Sequence, residues 1–185
     1  MSLTNSTSPT CNSKHPVTHA IIMGVSGCGK TTLGEALAKQ LGWPFFDADD
    51  FHPPENVAKM RAGEPLNDAD RAPWLLRLNT LLQANTHAVL ACSALKERYR
   101  DVLKSNLPNL RFVHPHGAFE VIAARIEARS KETGHYMPAS LLQSQFEALE
   151  PCEDAIMVDI EMPRQERVAF VLSDLNDSLT KARLL

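Results

Sequence analysis

The chain has 185 residues, 44% hydrophobic and 22% charged, with a formal net charge of -3 at pH 7. That length carries one substantial core and is short for two ordinary domains. The mild negative charge offers no global field to gather nucleic acid or an anionic membrane, and no apolar run approaches the roughly 20 residues of a spanning helix, so a small soluble partner and a cytoplasmic location are expected.

Residues 1–16, MSLTNSTSPTCNSKHP, are rich in Ser, Thr and Asn and poor in large apolar side chains, and read as a disordered tail outside the fold. Residues 17–185 read as one domain. The run VTHAIIM, residues 17–23, is short and partly β-branched and enters a glycine-rich loop directly, as a buried strand does. After the loop, Leu33, Leu37 and Leu41 recur one helical turn apart, and Gly42 and Pro44 end the helix. Four further strands follow in PFFDAD, HAVLACS, LRFVH and AIMVDI, separated by helical patterns. Phe119, Ile122, Ala123 and Ile126 share one helix face; Val168, Val171, Leu172, Leu175 and Leu179 share another. Apolar strands alternating with helices predict an α/β fold with a parallel sheet covered on both faces, whose ligands bind at the carboxyl ends of the strands.

The loop is GVSGCGKT, residues 24–31, and meets GxxxxGK[ST] at Gly24, Gly29, Lys30 and Thr31. Small residues let backbone N–H groups wrap phosphate oxygens at the positive end of the following helix. Gly24, Val25, Ser26, Gly27, Cys28, Gly29, Lys30, Thr31 and Thr32 are therefore the expected ATP-binding run. Lys30 would reach the β and γ phosphates and the Thr31 hydroxyl would ligate Mg²⁺. Lys30 and the helix N-terminus would lower a thiol pKa at Cys28, but the residue reads as loop filler. Cys11, Cys28, Cys92 and Cys152 form no CxxC pair and have no His at ligand spacing, so reduced thiols are expected.

A guanine-reading NKxD is absent. Asp159 ends the last strand, where an edge position and a turn role suit it better than metal binding. FFDADDFHP is the stronger carboxylate source: of Asp47 and Asp49, one is expected to orient the Mg²⁺ hydration shell and the other to accept the proton of an attacking hydroxyl. Asp50 suits helix capping before Pro53.

GVSGCGKTT, DADDFHPPENVAKMRAGEPLNDADRAPWL, CSALKERYRDVLK and QFEALEP together resemble the gluconokinase family over nearly the whole chain. The resemblance implies a three-layer α/β/α P-loop kinase fold of the shikimate-kinase and nucleoside-monophosphate-kinase type, with a five-stranded parallel sheet and a helical lid, here near 125–140. It also implies ATP and Mg²⁺, D-gluconate as acceptor, 6-phosphogluconate and ADP as products, and a homodimer. Asp47, Asp49 and His52 fall at its motif positions.

An acceptor of that kind needs a cation for its carboxylate and polar groups for its hydroxyls. Arg71 offers a carboxylate fork, or else pairs with Asp68 or Asp70; Ser93 and Lys96 follow the third strand, where Lys96 either faces substrate or is a solvated helix start. His52 either bonds the sugar or fixes the turn before Pro53. Arg98 and Arg100 are weaker candidates, and Trp74 reads as core. By similarity to the fold family, Arg125 flanks the adenine and Arg129 the transferring phosphoryl group. Another kinase on the same fold and a nucleotide-sensing binding protein are the competing readings.

Overall fold

The computed structural model describes residues 17–133 and 139–183; the expected tail and residues 134–138 of the lid stretch lie outside the described residues. Five strands, β1 (His19–Ile22), β2 (Phe45–Asp47), β3 (Ala88–Ala91), β4 (Leu110–His116) and β5 (Ile156–Asp159), form one parallel sheet in the order β2-β3-β1-β4-β5. Seven helices connect and follow them: α1 (Lys30–Leu41), α2 (Pro54–Arg61), α3 (Asp68–Gln83), α4 (Glu97–Lys104), α5 (Phe119–Thr133), α6 (Ala139–Ala148) and α7 (Arg164–Arg183). Among the described residues no helix is long and apolar enough to cross a membrane.

The two-residue period of the strands sorts side chains to the two faces. In β1, Ile21 stands opposite Leu90 and Phe112, and these join Trp74, Leu78, Leu82 and Leu103 under α3 and α4. Its neighbour Ile22 joins Val89, Val113, Leu33, Leu37, Val168, Val171 and Leu175 under α1 and α7. Three layers result, and the helix faces read from periodicity are the ones turned inward as far as Leu175. A third cluster, Val25, Cys28, Ile122, Leu142 and Ile160, packs the P-loop against α5 and α6.

β5 takes the edge position expected of the last strand. Ile156 and Val158 are buried while Met157 is 46% exposed, because β5 is an edge strand covered by α7 on one face. Pro73 lies inside α3, which starts earlier. Asn67 accepts from the Asp70 N–H at 2.9 Å and Asp70 accepts from the Asn67 N–H at 3.0 Å, a capping box that starts the helix at Asp68.

Arg100 is structural. Its buried guanidinium donates to the carbonyls of Ala94 and Leu95, at 3.2 and 3.0 Å, and to those of Glu150 and Pro151 across the chain. Glu150 adds a second link, its Oε2 accepting from the Glu97 N–H at 2.6 Å and so capping α4, which has no side-chain cap of its own. The loop after β3 is thereby fastened to the segment after α6. Arg100→Met orphans several of these carbonyls and is expected to cost about 3 kcal/mol, read as a lower urea midpoint; a loss under about 1 kcal/mol contradicts this role.

Candidate active site

Residues 24–29 leave β1 and turn into α1 between β3 and β4, where the strand order switches and a crevice opens at the carboxyl end of the sheet. Gly29 caps α1 with φ 95°, and Gly27 has φ 79°, conformations that favour glycine. Gly27 has a second reason: a Cβ there would stand 2.5 Å from Ile126 Cγ1. The loop so held leaves the α1 N-terminus open. Lys30 folds back, its Nζ donating to the Val25 carbonyl at 2.9 Å. Cys28 is buried, and burial raises its thiol pKa despite Lys30, so it is filler; Cys92, also buried, is pushed up to about 12 by desolvation. Behind the loop, burial, then His116, Arg100 and Lys30, bring His114 down to about 4, so a neutral ring backs Gly24.

On the side of β2 and β3 stand the carboxylates. The Thr31 hydroxyl donates to Asp47 Oδ2 at 3.0 Å, which joins it to one of the two aspartates considered for the cation. Asp47 Oδ1 accepts from the Asp49 N–H at 3.2 Å and caps a short 3-10 helix, Ala48–Phe51, whereas α2 is capped by Pro53 with no side-chain hydrogen bond, so the capping expected of Asp50 is not found. That 3-10 turn turns Asp49 into the crevice. Trp74 fixes it from below, donating Nε1–H to the Ala48 carbonyl at 2.9 Å and stacking on His52 with centroids 4.2 Å apart. Trp74 is core, as expected, and a platform for a site residue as well.

His52 Nε2 lies 3.9 Å from Asp49 Oδ1, and its Nδ1 meets Asn56 Nδ2 at 3.4 Å. Desolvation by its surroundings lowers the His52 pKa and Arg71 adds to this, against the pull of Asp49, which favours a neutral ring. Desolvation by the crevice walls, then the Asp47 charge, raise the Asp49 pKa above the ordinary carboxylate value, against His52 and Lys30. The Asp49 side chain is still 88% exposed, because the crevice is open: its walls displace bulk water at a distance without covering the carboxylate. A raised, accessible carboxylate beside a phosphate loop is suited to accept a proton.

The remaining acceptor-side candidates gather around Tyr99, which sequence reasoning missed. Arg71, Lys96 and Arg98 place their charges 5.7, 5.7 and 5.5 Å from its ring centroid. Asp68 accepts from the Tyr99 hydroxyl and pairs with Lys96 at 3.8 Å and Arg98 at 2.5 Å. Asp70 pairs with Lys59 at 2.6 Å. Neither aspartate is within ion-pair distance of Arg71, whose guanidinium donates to the Leu66 carbonyl. Lys96 and Arg98 thus share one carboxylate here, and Arg71 stands beside them without one. Ser93 lies beside the loop, its carbonyl accepting from the Gly24 N–H at 3.0 Å.

On the opposite side, Arg125 donates to the Ile160 carbonyl at 2.8 Å, while Arg129 is exposed one turn further along α5. Asp159 accepts from the Glu161 N–H at 2.8 Å, the turn role expected of it. Gln145 of α6 closes on the loop: its Oε1 accepts from the Ser26 N–H at 2.7 Å and its Nε2 donates to Ser26 Oγ at 3.2 Å.

Fold and site together define a P-loop kinase, with a phosphate loop at the switch point, a carboxylate pair on one flank and lid helices on the other. A shikimate kinase family model matches residues 26–168. The gluconokinase of Arabidopsis thaliana is 40% identical, covering 91% of this chain and 98% of its own, and the thermoresistant gluconokinase of Escherichia coli is 42% identical over 82% and 90%. The crystal structure of a gluconokinase from Sinorhizobium meliloti superposes with a TM-score of 0.78 at 43% identity, covering 88% and 93%. Shikimate kinase from Aquifex aeolicus shares the fold, with a TM-score of 0.54 at 18% identity, covering 88% and 98%. The chain belongs to the gluconokinase family, within the shikimate kinase group of P-loop kinases.

Proposed function

We propose that the protein transfers the γ-phosphoryl group of ATP to the 6-hydroxyl of D-gluconate, giving 6-phospho-D-gluconate and ADP. The observation that carries the choice of acceptor is the Arg71, Lys96 and Arg98 group around Tyr99, whose positive charge exceeds what Asp68 balances and suits a small carboxylate. Asp49 takes the proton of the attacking hydroxyl, His52 and Ser93 bond the polyol, and the phosphoryl group passes to the hydroxyl oxygen as its bond to ADP breaks. Lys30 and the loop N–H groups hold the charge on the β and γ phosphates. Arg125 flanks the adenine, and Arg129 reaches the phosphoryl group when the lid closes and excludes water.

Thr31 and Asp47, joined at 3.0 Å, are oxygen donors that fit a hard cation. Mg²⁺ held by them would neutralise charge on the triphosphate. The reading extends to a cytoplasmic homodimer, whose mass of about twice 20.5 kDa sedimentation reads.

A coupled ADP-release assay with gluconate, shikimate, adenylylsulfate and nucleoside monophosphates tests the acceptor. Turnover with gluconate is expected, and turnover with shikimate alone rejects the reading. Within that assay, Arg71→Met is expected to raise KM for gluconate on the order of tenfold and leave KM for ATP unchanged. A gluconate KM that does not move removes Arg71 from the carboxylate site.

A further inference from the structure

Arg167 stands at the flank of the P-loop away from the carboxylates, near enough to Arg125 and Arg164 to be repelled by both. Arg167 Nη1 lies 3.8 Å from where a Cβ on Gly29 would be, and its Nε is buried with no hydrogen-bond partner. Among the described residues none of the three pairs with a carboxylate. Arg164 and Arg167 also occupy the first turn of α7, where the helix dipole disfavours a cation, and Arg167 faces the cap of α1, a second positive helix end. Desolvation, then Arg125 and Arg164, pull the Arg167 pKa below the usual arginine value. This arrangement is electrostatically unfavourable while the crevice holds no anion. Like charges gathered without acidic partners, at a loop built to hold phosphate, are relieved by a polyanion.

We infer that Arg167 is a donor-affinity residue, its guanidinium gripping the phosphate nearest the ribose of the bound nucleotide. The side of the loop fixes which phosphate. Asp47 and Asp49 mark the end where the terminal phosphoryl group meets the acceptor, and Gly29, Arg125 and the loop after β5 mark the other. A charge at that end holds ATP and ADP alike and contributes little to the chemical step. The inference rests on the nucleotide reading of the loop and is independent of the acceptor.

Calorimetric titration of the full chain with ADP, and with adenosine by competition, tests it in Arg167→Met and Arg167→Lys. Methionine is expected to weaken ADP about tenfold while adenosine stays within about twofold, and lysine to hold ADP within about threefold of the unaltered protein. ADP affinity unmoved by methionine overturns the proposal. So does an equal loss for adenosine, or lysine binding as weakly as methionine, since either assigns the effect to packing. Arg167→Lys keeps the stem and the charge, so it remains informative if the methionine variant folds poorly. Failure of the unaltered protein to phosphorylate gluconate rejects the acceptor and leaves this measurement standing.

Discussion

Lys30→Met is expected to lower kcat about 10³-fold. The Nζ now donates to the Val25 carbonyl, at 2.9 Å, within the loop itself. Exchanging that neutral acceptor for phosphate oxygens turns an ordinary hydrogen bond into a charge-assisted one, so the swing toward the nucleotide is favoured as the triphosphate arrives. The contact strengthens as charge builds on the transferring group, which is why the loss falls on kcat more than on binding. Methionine keeps the length of the stem, and the backbone N–H at the head of α1 is untouched, so the loop survives. Steady-state kinetics with both substrates read the effect; a kcat within tenfold of the unaltered enzyme removes Lys30 from transition-state stabilisation.

Lys30 was legible because its motif is local. The loop residues, the strand sequence and the buried faces of α1, α5 and α7 all follow from spacings of eight residues or fewer, over which backbone geometry alone decides who is neighbour to whom. The misses share a different cause. Asp50 lies one turn after Asp47 in sequence, and which of them caps depends on where β2 stops, a boundary that β3 pairing fixes rather than local propensity. Met157 is apolar in an apolar strand and is exposed only because β5 ends the sheet. Arg100, Tyr99 and Arg167 acquire their roles from partners 31 to 138 residues away, Asp68 for Tyr99, Pro151 for Arg100 and Gly29 for Arg167. NDADR and CSALKERYR carried a weak signal that they belong together, since a run of cations after β3 needs an anion and Asp68 supplies it to Lys96 and Arg98. No such signal exists for Arg167, which looks like any solvated residue on a helix until α7 is laid beside the P-loop.

The second large effect concerns the acceptor hydroxyl. Asp49→Asn is expected to lower kcat on the order of 10² to 10⁴-fold with KM for ATP nearly unchanged, because the amide cannot take the proton that leaves as the phosphoryl bond forms. The pH profile identifies the group. Its pKa lies above the ordinary carboxylate value, raised by desolvation and then by Asp47, so kcat of the unaltered enzyme falls as pH drops through that raised value. The asparagine variant loses this acid limb. Stability runs the other way. A carboxylate with a folded pKa above its unfolded one contributes stability that is full below the unfolded pKa and is lost as pH rises through the folded pKa. Near neutral pH the ionised Asp49 therefore strains the fold slightly, and asparagine is expected to hold or raise Tm while activity collapses, the trade found where a site keeps a costly charge for chemistry. A variant that retains both kcat and the acid limb assigns the proton to another acceptor, and His52, whose Nε2 is 3.9 Å from Asp49, is the neighbour to test next.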